Sequence, residues 1–265
     1  MRIGSVMAFA DVNGQRLYFE DSGGDGPAVV FSHGFLMDHE MFAPQVAALS
    51  GRLRIVTVDA RGHGQTGADG AFDYWDLARD VLALMDHLDL ASATLAGMSQ
   101  GGFVSLRASL LAADRVRALV LIDSQAGLEN EASVPAYEAM HEEWLANGPA
   151  AVQEIVAAMI LGTDLDPTPW FTKWAAIPPE NFTAPFRCLM DRDDLTPRLG
   201  EIPQPAIIFH GDHDEAIPME RAEILCAGLP ACRGIVVVEG AGHAANLSHP
   251  DQVNDPLAEF VEQYG

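Results

Sequence analysis

Residues Leu95-Ala96-Gly97-Met98-Ser99-Gln100-Gly101-Gly102 constrain this 265-residue chain more tightly than any other stretch. An apolar run ends in a serine flanked by glycines, and a helical pattern begins at once. The G-x-S-x-G spacing is that of a strand turning so sharply into a helix that the serine hydroxyl is held exposed above a sheet. Small neighbours are required, because a bulky side chain at 97 or 101 would collide with the adjoining strand or helix. Ser99 is therefore a candidate nucleophile.

A serine hydroxyl is a weak nucleophile at its free pKa and needs a base within hydrogen-bond reach and a carboxylate to orient that base. Two downstream runs have the character of buried parallel strands. Ala206-Ile207-Ile208-Phe209-His210 opens onto Gly211-Asp212-His213-Asp214, and Ile235-Val236-Val237-Val238-Glu239 opens onto Gly240-Ala241-Gly242-His243. Each candidate lies just past the carboxyl end of a strand, where open α/β sheets carry their sites. Asp123 closes a similar run, Leu119-Val120-Leu121-Ile122. The residues alone leave Asp214, Asp212 and Asp123 open as acids.

Further stretches fit one pattern: Ser32-His33-Gly34-Phe35, Asp59-Ala60-Arg61-Gly62-His63-Gly64-Gln65-Thr66, and Ser248-His249-Pro250. Together with the serine turn and the loops ending at Asp214 and His243, they make the chain resemble the α/β-hydrolase family over nearly its whole length. The resemblance implies a chain order of serine, acid, histidine. It assigns Ser99 as nucleophile, His243 as general base and acid, and Asp214 as orienting carboxylate. Asp212 is the competing acid, and Asp123 a second one, as in relatives with the acid after the earlier strand. An oxyanion hole needs two backbone N–H groups aimed at the developing charge. Gln100 offers one at the start of the helix, whose dipole also favours an anion. The family's H-G motif points to the Phe35 amide for the other, with the Phe35 ring lining the acyl pocket.

The rest of the pattern sets the fold expected. Asn13-Gly14 between two alternating segments is a two-residue hairpin turn. Buried strands are expected at Ala28–Ser32, Arg54–Val58, Thr94–Met98, Arg117–Ile122, Ala206–His210 and Gly234–Glu239, with amphipathic helices between them. Leu77, Val81, Leu84, Met85 and Leu88, for example, share one helical face. Strand alternating with helix predicts an α/β fold with a mostly parallel sheet covered on both faces, and the resemblance implies the α/β-hydrolase fold with eight strands. Between residues 125 and 200 no strand appears, and helices are expected near 133–147, 152–160, 167–176 and 179–190. That segment resembles the family's cap, giving residues 1–124 and 201–265 as core and 125–200 as helical cap. Trp144, Met159, Ile160, Trp170, Phe171 and Trp174 are the candidates to face a pocket, against the plainer alternative of burial within the cap. Pro256 should kink the last helix or restart it with Asp255 as cap.

Composition narrows the function. With 38 acidic and 15 basic residues the formal charge is −23, a field that repels nucleic acid and anionic lipid. Neutral esters or lactones are mildly favoured as small-molecule substrates. No run is long enough for a transmembrane helix, and the stretch before Asp11 lacks the features of a secretory signal, so a cytoplasmic location is expected. Cys188, Cys226 and Cys232, lacking metal or redox spacing, read as reduced thiols. His33 and His63, in glycine-rich turns, read as loop-holding residues. His210, Asp212, His213 and Asp214 lack a recognisable metal-ligand pattern, and no nucleotide-binding glycine motif follows a strand. The expected activity is hydrolysis of carboxylic esters through an acyl-enzyme, with no cofactor or metal. Lactone hydrolysis and perhydrolysis are the enzymatic alternatives, a ligand receptor of hydrolase-like build the non-enzymatic one, and the oligomeric state is left open.

Overall fold

The computed structural model describes residues 6–163 and 165–265. The chain opens with the hairpin β1 (Val6–Val12) and β2 (Gln15–Asp21), followed by β3 (Ala28–Ser32), α1 (Ala43–Leu49), β4 (Arg54–Val58) and α2 (Tyr74–His87). Next come β5 (Ala93–Met98), α3 (Gln100–Leu111) and β6 (Val116–Ile122). Four helices follow without a strand: α4 (Val134–Asn147), α5 (Gln153–Leu161), α6 (Thr168–Ala175) and α7 (Pro179–Met190). The chain closes with β7 (Ala206–Gly211), α8 (Met219–Gly228), β8 (Cys232–Val238), α9 (Ala245–Ser248) and α10 (Pro250–Tyr264).

The eight strands form one sheet in the order β1-β2-β4-β3-β5-β6-β7-β8. β2 pairs antiparallel with β1 and β4, and every later pairing is parallel. Asn13 and Gly14 turn the hairpin with φ of 48° and 73°, as a type I′ turn demands. Side chains alternate across a strand, so each central strand feeds two cores. Leu119 and Leu121 join Leu77, Val81 and Phe103 on one face, while Val120 and Ile122 join Leu49, Val253 and Leu257 on the other. Each such burial contributes about 1.5–3 kcal/mol before entropy is counted. The helix α2 also begins well, with an Asp73–Asp76 capping box. Among the described residues no helix is long and apolar enough to cross a membrane.

Two expectations are corrected. Cys226 and Cys232 are not free thiols but a disulfide, their Cα atoms 5.4 Å apart where the end of α8 folds back to the start of β8. Closing so short a loop is worth about 2 kcal/mol. Cys188 remains a free, buried thiol. Of the two outcomes expected for Pro256, a kink or a restart at Asp255, the restart does not occur: Pro256 lies inside α10, which continues as one helix. An internal proline costs about 3 kcal/mol. The buried face of Val253, Leu257, Ala258 and Val261 outweighs that cost. The expectation about the amino terminus falls partly on residues 1–5, outside the described residues.

Candidate active site

Ser99 stands between β5 and α3 with φ 51° and ψ −116°, a conformation that costs about 1–3 kcal/mol for a residue with a side chain. Hydrogen bonds fix it there: its amide donates to Ile122 O at 2.8 Å, and its carbonyl accepts from Gly102 N at 2.9 Å and Ser124 Oγ at 2.8 Å. A Cβ at Gly97 would strike the backbone of Gly101, and one at Gly101 would strike the carbonyl of Ser32 in β3. Strand and helix therefore meet closely enough to exclude any side chain at either position.

Past β7, Asp214 Oδ1 accepts from Ala216 N and Ile217 N, both at 2.9 Å. Its other oxygen lies 2.8 Å from His243 Nδ1, which donates to it. That assignment leaves Nε2 of His243 free of the acid. Burial alone would depress the His243 pKa, but the charge and hydrogen bond of Asp214 outweigh it and hold the imidazole above its ordinary value. Ser99 and His243 line one cavity, and among the described residues no hydrogen bond joins hydroxyl to imidazole. Such contacts often tighten only when substrate is bound.

The rival carboxylates hold backbone instead. Asp212, exposed, accepts from Gly240 N at 2.7 Å. Asp123, fully buried, accepts from Gly211 N at 2.8 Å and Ala245 N at 2.9 Å, bracing the two loops that carry Asp214 and His243. Burial and the nearby charge of Asp214 push its carboxyl well above the usual carboxylate range. His210, also buried, bonds Ile217 O through Nε2 at 2.8 Å and leaves Nδ1 without a partner. Asp123, His210 and Asp214 lie close enough together to suggest a cation site. Both Asp123 oxygens, however, face backbone N–H groups and both Asp214 oxygens are engaged, so the cluster does not fit a metal. Asp212 and His213 are exposed and do not belong to that cluster.

Gln100 opens α3, where the first N–H groups have no intrahelical acceptor. The Phe35 amide donates to no described residue, while its neighbour Gly34 N donates to Met41 Sδ at 3.3 Å. His33 sets this loop: Nε2 accepts from Ala60 N at 3.0 Å, so Nδ1 carries the proton and donates to Gly34 O at 2.8 Å. His63, its pKa lowered by burial to about 3, bonds Arg61 O. Asp59 ties the same region together through His39 N, His39 Nδ1 and Gln65 N.

Of the expected pocket residues, Met159 and Ile160 border the cavity together with Phe35. Trp144, Trp170, Phe171 and Trp174 do not, and are corrected accordingly. Trp144 stacks on Phe182 at 4.3 Å, and Trp174 donates to Leu36 O at 2.7 Å. Lys173 sits over the Trp170 ring, and Phe171 packs on Trp174. These aromatics fasten the helical segment together and to the sheet. Glu129, Tyr137, Leu189 and Ile217 also line the cavity. Nothing in their local sequence separates them from surface or core residues, since they come from four separate segments: the loop before α4, α4 itself, α7 and the loop after β7.

Comparison with known proteins supports the fold. The chain is 27% identical over 254 residues to 3-oxoadipate enol-lactonase 1 of Acinetobacter baylyi, covering 90% of each sequence. It is similar to the solved enol-lactonase from Burkholderia xenovorans LB400, with a TM-score of 0.86 and 26% identity, covering 96% of this chain and 99% of that one. It is also similar to a thermophilic esterase from Thermogutta terrifontis, with a TM-score of 0.85 and 25% identity over 98% of both chains. A profile of the alpha/beta hydrolase fold matches residues 27–250, and the chain belongs to that family.

Proposed function

We propose that the protein hydrolyses carboxylic esters of small molecules through an acyl-enzyme on Ser99. The observation that carries this reading is the His243–Asp214 pair at 2.8 Å, opening on the same cavity as a serine held in strained backbone. Ser99 Oγ attacks the ester carbonyl while His243 Nε2 takes its proton, and Asp214 stabilises the imidazolium. The oxyanion is met by the Phe35 and Gln100 amides. His243 then protonates the departing alcohol and activates a water that releases the acid. These steps call on no cofactor. The cavity entrance is covered by the helical segment 125–200, which acts as its cap and keeps bulk water from the acyl-enzyme.

Hydrolysis of a lactone uses the same steps with the leaving alcohol still tethered, and two enol-lactonases among the relatives favour it as the second reading. Steady-state turnover of p-nitrophenyl butyrate and of a simple enol lactone tests both. Ser99→Ala should lower kcat by at least about 10³-fold, with an unchanged circular-dichroism spectrum. A folded Ser99→Ala variant that keeps its activity would overturn the nucleophile assignment. A wild type that is acylated once and then stops would mark a ligand receptor instead of an enzyme.

A further inference from the structure

The catalytic cavity is small, about 50 Å³, and a far larger groove of about 980 Å³ adjoins it. Both are bordered by Glu129, Tyr137, Met159 and Ala216. Two of these touch: the Tyr137 hydroxyl, its pKa pushed up by burial to about 12, donates to Met159 Sδ at 3.6 Å. Gly34, Phe35 and Ser99 border only the inner space, whereas Glu215, Pro218 and Arg221 border only the outer one.

We propose that the inner cavity receives a short, uncharged acyl group and the outer groove a much larger leaving alcohol, with Tyr137 and Met159 as the partition between them. The inference rests on the ester-hydrolysis reading and specifies its substrate class. Orientation follows from the chemistry. With the carbonyl oxygen at the Phe35 and Gln100 amides, the acyl chain is assigned to the inner wall of Met98, Phe103 and Leu189. The leaving oxygen must take its proton from His243, which borders the inner space, and Glu215, Ala216 and Pro218, which follow the Asp214 that holds it, carry the wall from there into the outer groove.

Size sets the acyl limit. At about 50 Å³ the inner space lies well below the roughly 300 Å³ at which small-molecule sites begin, so it is assigned a short acyl group of about two to four carbons. The outer groove lies at the upper end of the roughly 300–1,000 Å³ usual for small-molecule sites. Charge sets a second limit. Glu129 lines the inner cavity with its carboxylate 2.8 Å from Arg192, whose side chain is only 2% exposed. That cation is committed and buried, and leaves nothing to receive a carboxylate on the acyl chain.

The test measures kcat/KM for p-nitrophenyl acetate, butyrate, octanoate and hemisuccinate, and for acetates of alcohols from ethanol to a naphthol, below micelle-forming concentrations. One methylene that a pocket accepts or rejects changes the rate by roughly 10–200-fold. Butyrate should therefore exceed octanoate and hemisuccinate by at least about tenfold, while acetates tolerate the bulky alcohols. Met159→Ala and Tyr137→Ala, checked for folding by circular dichroism, should each narrow the butyrate–octanoate gap several-fold. Octanoate turned over as well as butyrate by the wild type, or a gap untouched in both folded variants, overturns the partition while leaving ester hydrolysis standing. Turnover of no ester, together with a Ser99 that a fluorophosphonate does not label, overturns the hydrolytic reading and this inference with it.

Discussion

At the scale of single residues, the work of the three carboxylates near His243 divides according to what each already holds. Asp214 presents one oxygen to two backbone amides and the other to Nδ1, so its charge is supported and aimed. Replacing it with Asn offers the imidazole the wrong partner and upsets its tautomer; kcat should fall by on the order of 10⁴-fold, the loss that the same change causes in a serine protease. Asp212→Asn should cost little, because that side chain only steadies the turn at Gly240. Steady-state kinetics of both variants on one ester checks the ranking, and a larger loss from Asp212→Asn than from Asp214→Asn would reverse the assignment. The pH profile follows from the same pair. His243 must be neutral to act as base, and Asp214 raises its pKa. Activity should therefore fall as pH drops through a midpoint above about 6.5, the unperturbed histidine value. The charged groups around the imidazole that set this limb are Asp214, Asp123 and Glu129. A kcat/KM limb centred below that value would show that desolvation wins over the acid. Much of this site was legible, since Ser99, Asp214 and His243 each follow a recognisable apolar strand. The choice of Asp214 among three acids came from the family resemblance and not from the residues alone, because the partners that occupy Asp123, such as Gly211 and Ala245, lie far away in the chain.

At the scale of elements, the turn between β5 and α3 stores its strain by close approach. A methyl group at Gly101 has no room against the Ser32 carbonyl, and backbone cannot swing aside as a side chain can. Gly101→Ala should cost at least about 1–3 kcal/mol by forced displacement of strand against helix. It should also lower kcat, because the displacement moves Ser99 relative to His243. Urea unfolding together with kinetics checks both; a variant of unchanged stability would mean that the turn has slack. Elements with continuous apolar runs bounded by glycine or proline were read at their true limits, as β3 and β4 were. The edge strand β8 begins at Cys232, earlier than its pattern suggested, because half-exposed edge residues carry no continuous apolar signal. The same segment hid the Cys226–Cys232 pairing, which depends on how α8 turns back into that strand. In the helical insertion the periodicity located the helices but not their facing. An indole stripe looks alike whether it lines a pocket or, as Trp144 and Trp174 do, seals one layer to another.

At the scale of the whole molecule, a formal charge of −23 acts on any substrate before contact. The few cations do little to relieve it, since many are committed within the fold: Arg54 to Asp21, Arg61 to Asp80, Lys173 to Asp38, Arg192 to Glu129. Three carboxylates, Glu129, Glu143 and Glu215, border the outer groove against one cation, Arg221, so a negative field is expected there. Such fields change association rates by about 10–10³-fold, here against an anion. Salt shortens the reach of exposed charges from about 30 Å at 0.01 M to about 8 Å at 0.15 M. Between those ionic strengths kcat/KM for an ester with a charged leaving group, such as 4-acetoxybenzoate, should rise several-fold relative to its uncharged methyl ester. An anionic alcohol portion is the useful probe, because the acyl pocket would reject the same charge for reasons of contact that salt cannot screen. A ratio flat in salt would mean that the negative surface lies farther from the groove than its lining residues imply, and a falling ratio would mean that Arg221 governs the approach.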